Sequence, residues 1–291
     1  MIRISDEVRG AEAVVALETT IVAHGFPPGE GIAVGLECER RVRDAGAVPA
    51  TIGVLNGEVV VGVTEAELER FDSSARKAGP RELAACVTTG GVGATTVGGT
   101  LAVCRAAGIR FMGTGGIGGV HRGTRWDVSA DLIELSRSPV VVVSSGVKSL
   151  LDVDATAEFL ETLSVPVLGW KTGTMPRFYD ARGGPPVSDR VDSVDDAVEL
   201  SRLHWELGGF GVLLARPPDE SLDVDDLIEE ALEEAERDGI VGQAVTPFVL
   251  ARLHERSDGR TLAVNRALAA ANAGLAAELA VSAGAGSASN G

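Results

Sequence analysis

Residues 140–152 read VVVVSSGVKSLLD. Four consecutive valines are apolar and β-branched at every position, the pattern of a strand buried on both faces of a parallel sheet. Ser144, Ser145 and Gly146 break the run with a turn. Lys148 follows at once, and SLLDVDATAEFL continues with helical spacing. This puts a lysine at the carboxyl end of an apolar strand, where open α/β sheets bind ligands. Burial there is expected to depress its pKa toward neutrality and leave a free amine, able to form an imine with a carbonyl. The ordinary alternative is a lysine reaching out to a surface carboxylate.

The composition sharpens the question. Lys77, Lys148 and Lys171 are the only lysines, so 23 of the 26 basic residues are arginines. A coding bias toward arginine accounts for the ratio. It also makes a surviving lysine a place where arginine, which does not deprotonate, would not serve. A net charge of −16 disfavours a nucleic-acid backbone or an anionic membrane as partner. The chain has 291 residues, 45% hydrophobic and only 4% aromatic, so a sizeable core must come from Val, Leu, Ile and Ala. Cys38, Cys86 and Cys104 show no paired or metal-binding spacing, which suits buried thiols in a reducing cytoplasm. MIRISDEVRG lacks the pattern of a signal peptide, and no apolar run is expected to reach the roughly 18 residues of a bilayer span.

Working outward, short apolar runs alternate with amphipathic stretches, the signature of an α/β fold. Residues 13–25 read as a strand and a polar turn, and 31–46 as a helix stopped by glycine. Residues 49–64 read as a hairpin turning at Asn56-Gly57. Residues 85–108 read as a Gly/Thr loop entering a helix, and 109–123 as a strand running into glycines. Residues 176–192 are expected to be a long surface loop. Two helices close the chain. The reading gives one domain over 1–283 and a disordered tail over 284–291.

Several residues could carry chemistry. Gly113-Thr-Gly-Gly-Ile-Gly118 matches the spacing of a dinucleotide loop, but GVHRGTRWD follows it without helical period. Such a loop, with His121 and Arg122, suits a small phosphate better. A plain strand connection fits equally well. Asp127, Ser129 and Asp131 alternate and would share one face if extended, as oxygen ligands of Mg²⁺ or Mn²⁺. The same residues read as the cap of the helix that follows. Glu18 interrupts VVALETTIV. It is either a strand-end carboxylate in a site, where burial would raise its pKa and suit a general acid, or an outward residue on an edge strand.

These stretches together resemble the pseudouridine-5′-phosphate glycosidase family. The motifs are ALETTIVAHGFP, GAVPATIGVLNGEVVVG, GATTV, TGGIGGVHRG, DVSADL, SSGVKSLLD, TPFVLARL and AVNRALAAANA, which span nearly the whole chain in order. The resemblance implies a single-domain α/β fold with a central mixed β-sheet flanked by helices. It implies a homotrimer that needs Mn²⁺ or another divalent cation. It implies reversible cleavage of pseudouridine 5′-phosphate to uracil and ribose 5-phosphate. By position, Lys148 matches the lysine that bonds C1′ of the ring-opened sugar, and Glu18 the proton donor. Asp127 matches the metal-linked aspartate. Lys77 matches a phosphate-side lysine. Thr96, Val97, Thr114, His121, Ser129, Ala130, Asp131 and Asn265 match substrate-pocket positions, with Asp131 also near the metal's water shell.

Two departures stand out. Gly98-Gly99 replaces a step that is less glycine-rich in relatives, and is expected to loosen the wall beside Val97. Gln243 stands where relatives tend to carry lysine. The alternative function is a C-glycoside synthase of the same family, joining ribose 5-phosphate to a heterocycle other than uracil.

Overall fold

The computed structural model describes residues 1–123, 127–240 and 245–288. The strands are β1 (Ile2–Ile4), β2 (Val14–Glu18), β3 (Val48–Leu55), β4 (Glu58–Val61), β5 (Arg76–Ala78), β6 (Gly93–Thr95), β7 (Phe111–Gly113), β8 (Val120–His121), β9 (Val141–Ser144), β10 (Leu151–Asp152), β11 (Val167–Trp170), β12 (Asp189–Val191) and β13 (Val212–Ala215). The helices are α1 (Asp6–Arg9), α2 (Thr20–His24), α3 (Gly31–Asp44), α4 (Glu65–Leu68), α5 (Leu83–Thr89), α6 (Val97–Ala107), α7 (Ala130–Leu135), α8 (Val153–Thr162), α9 (Val194–Glu206), α10 (Asp225–Arg237), α11 (Val245–Arg256) and α12 (Arg260–Ala288).

The main sheet runs β1-β4-β3-β2-β7-β9-β13-β11-β12, with β6 and then β5 attached to β3. Its centre is parallel, while β3 pairs antiparallel with β4 and β6. The expected mixed sheet flanked by helices is what forms. Val140 to Val143 are at most 1% exposed and stand between β7 and β13, so the all-apolar run reflects burial on both faces. The hairpin is also as expected: Asn56 (φ 53°) and Gly57 (φ 81°) both adopt the left-handed backbone that a two-residue turn requires.

Helix α12 crosses β2, β7 and β9 and packs on α3. It comes so close that a Cβ on Gly113 would lie 2.7 Å from the Cα of Ala273. Small residues on both elements permit that approach. The sequence expectation about apolar runs fails here. Residues 260–285 are long and apolar enough by composition to cross a membrane, with mean hydropathy 1.3. In this fold that apolarity is used against the sheet and α3, and over half of the segment is buried.

Several local expectations change in detail. Residues 20–24 form the short helix α2 rather than a turn, and α5 precedes the glycine-rich stretch. The 176–192 segment is largely at the surface, as expected, but it also holds strand β12 and the buried side chains of Phe178 and Tyr179. The tail expected to be disordered from 284 is helical as far as Ala288. Gln243 lies outside the described residues.

Candidate active site

Chain order along the sheet reverses between β2 and β7: after β2 the chain builds outward through β3, and β7 returns to the other side of β2. The carboxyl ends at such a switch point splay apart and leave a crevice. Glu18 is the last residue of β2, and Thr114 is the first after β7. They meet across the crevice. Thr114 Oγ1 donates to Glu18 Oε1 at 2.5 Å, and Thr20 Oγ1 donates to Oε2 in a very short bond. Glu18 is 5% exposed. It is therefore the strand-end carboxylate of the sequence reading, with both oxygens held by hydroxyls. Thr19 steadies the turn beside it. Its Oγ1 donates to the Ile52 carbonyl at 2.8 Å and accepts from the Thr95 N–H at 2.8 Å.

Beyond β7 and β9 the chain continues as two parallel loops that extend the pairing of the strands. Thr114 N–H donates to Val143 O at 3.0 Å, Ser145 N–H to Gly115 O at 2.8 Å, Ile117 N–H to Gly146 O at 3.0 Å, and Lys148 N–H to Ile117 O at 3.1 Å. The glycine stretch is thus the partner of the lysine loop. Gly146 (φ +74°) makes the bend before Lys148 possible, and a Cβ there would also sit 2.1 Å from Pro176 O. Lys148 is half-buried on this loop. The helix expected straight after it begins only at Val153, because Leu151 and Asp152 first pair with Val120 and His121. Arg122, read from sequence as a phosphate donor, instead donates to the carbonyls of Ser149 (3.1 Å) and Leu151 (3.3 Å). It anchors the lysine loop from behind.

Lys77 enters from the side strand β5. The N–H of Thr96 donates to Ala78 O at 3.1 Å, which ties β5 to the start of α6. Lys77 reaches solvent, yet enough protein surrounds it to hold its pKa below the usual lysine range. Desolvation is the largest cause. The Lys148 charge adds to it, while Asp131 and Glu18 pull the other way. Glu18, Asp131 and Lys148, from distant parts of the chain, therefore all lie near enough for their charges to act on Lys77. Lys171 stays outside and stacks on the Trp170 ring at 4.9 Å.

Asp131 is held by backbone donors. It is 6% exposed, and its carboxylate accepts the N–H of Gly98 at 2.7 Å and of Gly118 at 2.8 Å. It clamps the first turn of α6 to the glycine loop. Ser129 is the N-cap of α7, accepting from the Asp131 N–H at 3.2 Å, so the capping reading holds and the three oxygens do not share an extended face. Thr96 caps α6 through the Gly99 N–H at 3.1 Å. Val97 is buried in the core, and Ala130 is exposed at the start of α7. His121 lies half-buried on β8, and Asn265 on α12 faces the glycine loop, 3.4 Å from where a Gly115 Cβ would be.

The glycine departure has a physical reading. Gly98 and Gly99 do not loosen the wall. A Cβ on Gly99 would lie 2.2 Å from Ala78 O, and one on Gly98 would lie 2.9 Å from Asp131 Oδ1. The pair lets α6 press against β5 and the aspartate clamp. We expect Asp131→Ala to leave two buried donors unpaired and to cost about 2–5 kcal/mol of stability. Thermal unfolding checks this, and an unchanged melting temperature with lost substrate binding would instead mark Asp131 as a ligand contact.

Sequence reasoning missed three supporting residues. Asn272 is fully buried and donates to Thr114 O (2.9 Å) and Ser145 Oγ (3.1 Å), holding the two loops together. Phe178 packs under Gly116, and its N–H donates to Ser145 O at 3.0 Å. Thr20 completes the grip on Glu18. Asn272 sits in an alanine-rich helix, and an asparagine there was the available signal.

For a cation, the donor set is sparse. Asp127 is exposed, its Oδ2 lies 3.8 Å from His121 Nδ1, and Asp131 is committed to backbone N–H groups. Among the described residues no group of three or more carboxylate, imidazole or thiol side chains could hold a metal. A divalent ion held by Asp127 would take most of its remaining ligands from water.

Comparison with known proteins places the chain in a family. A family model described as "Indigoidine synthase A like protein" matches residues 3–282. A pseudouridine-5′-phosphate glycosidase of Salinispora tropica is 46% identical, over 96% of this chain and 90% of its own. One from Geobacillus kaustophilus is 43% identical, over 95% and 96%. Among solved structures, the prealnumycin C-glycosynthase AlnA in complex with ribulose 5-phosphate superposes with TM-score 0.90 at 38% identity, covering 99% of each chain. With its fold and near-full-length identity both matched, this chain belongs to the pseudouridine-5′-phosphate glycosidase family, the family of indigoidine synthase A-like proteins.

Proposed function

We propose that the protein reversibly cleaves the C–C glycosidic bond of pseudouridine 5′-phosphate, giving uracil and ribose 5-phosphate. The observation that carries this reading is the placement of Glu18 at the end of β2, beside the paired loops that hold Thr114 and Lys148, with Lys77 close enough to feel both charges, in a chain with only three lysines. An N-glycoside leaves once its base is protonated. A C–C bond offers no heteroatom to leave, so a covalent electron sink is needed.

Lysine chemistry supplies one. The Lys148 amine bonds C1′ as the ring oxygen departs, protonated, to become the 4′-hydroxyl. Glu18 delivers a proton to the base carbon C5. The nitrogen lone pair then forms the imine as the C1′–C5 bond breaks and uracil leaves. Water hydrolyses the imine, releasing ribose 5-phosphate and the free amine. Lys77 supplies positive charge for the phosphate. A Mn²⁺ or similar ion on Asp127, when bound, would add charge for the phosphate and its waters. The reading extends to a homotrimer in a reducing cytoplasm.

Borohydride added with ribose 5-phosphate should trap an adduct on the peptide containing Lys148. Label on Lys77 or Lys171 instead would refute the assignment. Chelation should remove activity and Mn²⁺ restore it, and indifference to chelators would sink the metal role. A second reading is favoured by the likeness to a C-glycosynthase: synthesis of a C-glycoside from another heterocycle. Incubation with ribose 5-phosphate, Mn²⁺ and a panel of heterocycles decides it by product mass, since clear preference for a base other than uracil would displace the first reading.

A further inference from the structure

Glu18 borders a second space besides the crevice. A narrow cavity of about 10 Å³ is lined by Glu18, Thr51 and Thr114 together with Leu17, Cys38 and other apolar groups. It has room for about one water, and Glu18, Thr51 and Thr114 are the polar residues of an otherwise mostly apolar lining. Thr51 stands beside Leu17 in the β2–β3 register and is 3% exposed. Its Oγ1 donates to Glu39 Oε1 on α3 in a short hydrogen bond.

Glu39 in turn lines a cleft of about 440 Å³, ringed by the exposed Glu7, Arg40, Arg43 and Glu65. The two spaces are therefore joined through a single threonine–glutamate contact. The buried Cys38, one residue from Glu39, lines the same small cavity as Glu18 and Thr51. Burial holds the Glu39 carboxyl above the usual range. The Thr51 hydrogen bond and Arg43 oppose the shift, and Glu7 and Glu65 add to it. Such an acid keeps its proton closer to neutral pH.

We propose that Glu39, Thr51 and one water in this cavity form a proton relay that recharges Glu18 from the α3 side while substrate fills the crevice. It rests on reading Glu18 as the acid. Protonated Glu39 donates to Thr51 Oγ1, the Thr51 hydroxyl proton passes to the water, and a water proton passes to Glu18. One proton moves from Glu39 to Glu18, and the cleft's solvent reprotonates Glu39. In the synthesis direction the flow reverses: the proton taken from uracil C5 leaves Glu18 for solvent. Glu39 and Thr51 are thus positioning and relay groups that never touch substrate.

The test uses uracil deuterated at C5, ribose 5-phosphate and the full enzyme in ordinary water. The readout is the deuterium retained in recovered uracil per turnover. Wild type should lose the label readily, whereas Thr51→Val should return it to C5 several-fold more often, and Thr51→Ser should restore the loss. Glu39→Gln serves as the second variant should Thr51→Val fold poorly. A high-resolution crystal structure should place a water within hydrogen-bond reach of Glu18 and Thr51 Oγ1. An active wild type with unchanged retention in folded variants, or a dry cavity, overturns the relay alone. A wild type inactive in both directions overturns the functional reading and the relay with it.

Discussion

Lys148→Ala should abolish turnover while leaving the fold in place. Lys148 is held through its backbone, by the Ile117 carbonyl and by the Leu151 N–H that its own carbonyl accepts. The loop is fixed further by Arg122 on the Ser149 and Leu151 carbonyls. None of these contacts needs the amine. Loss of the covalent route should cost at least about 4 kcal/mol in the barrier, roughly a thousandfold in kcat/KM. Steady-state kinetics and a circular-dichroism melt check both halves. A variant that keeps most of its activity would remove the imine from the mechanism. Lys148→Arg should be equally inactive, since a guanidinium keeps its charge and does not attack.

Glu18→Gln is the second large effect. The amide is nearly isosteric and can still accept from one of Thr20 or Thr114, so the crevice should keep its shape. It has no proton to give, and general acid–base groups contribute roughly 10²–10⁴-fold. We expect a fall of that order in kcat with little change in KM, since in the proposed mechanism Lys77 and not Glu18 meets the phosphate end of the substrate. The borohydride adduct with ribose 5-phosphate should still form on Lys148. A rise in KM at constant kcat would instead make Glu18 a binding residue.

These two residues also mark how far the sequence could be read. Lys148 was visible from its setting: a rare lysine, after four valines and a small-residue turn. Glu18 was visible as a carboxylate in an apolar run, but its sequence left the strand's place open. Only the sheet order puts β2 at the centre, beside β7, and so puts Glu18 in the crevice. Asp131 shows the opposite case. Its motif gave no sign that its carboxylate accepts the Gly98 and Gly118 N–H groups. Which donors surround a carboxylate is decided by segments more than ten residues away, and no local pattern encodes that. The Gly98-Gly99 pair likewise read as slack and proved to be close packing, because glycine looks the same in sequence whether it faces space or a neighbouring backbone.

By itself the sequence determined the α/β alternation, the buried valine strand, the left-handed hairpin turn and the family. These follow from periodicity, from turn chemistry and from motifs that keep their order. Tertiary structure alone decided that Glu18 and Thr114 meet, that Lys77 feels Lys148, that Asn272 ties two loops, and that the apolar closing helix is spent on the sheet. The physical reason is the same in each case. Local chemistry fixes what a segment can become, whereas contacts between distant segments depend on the order in which strands join the sheet.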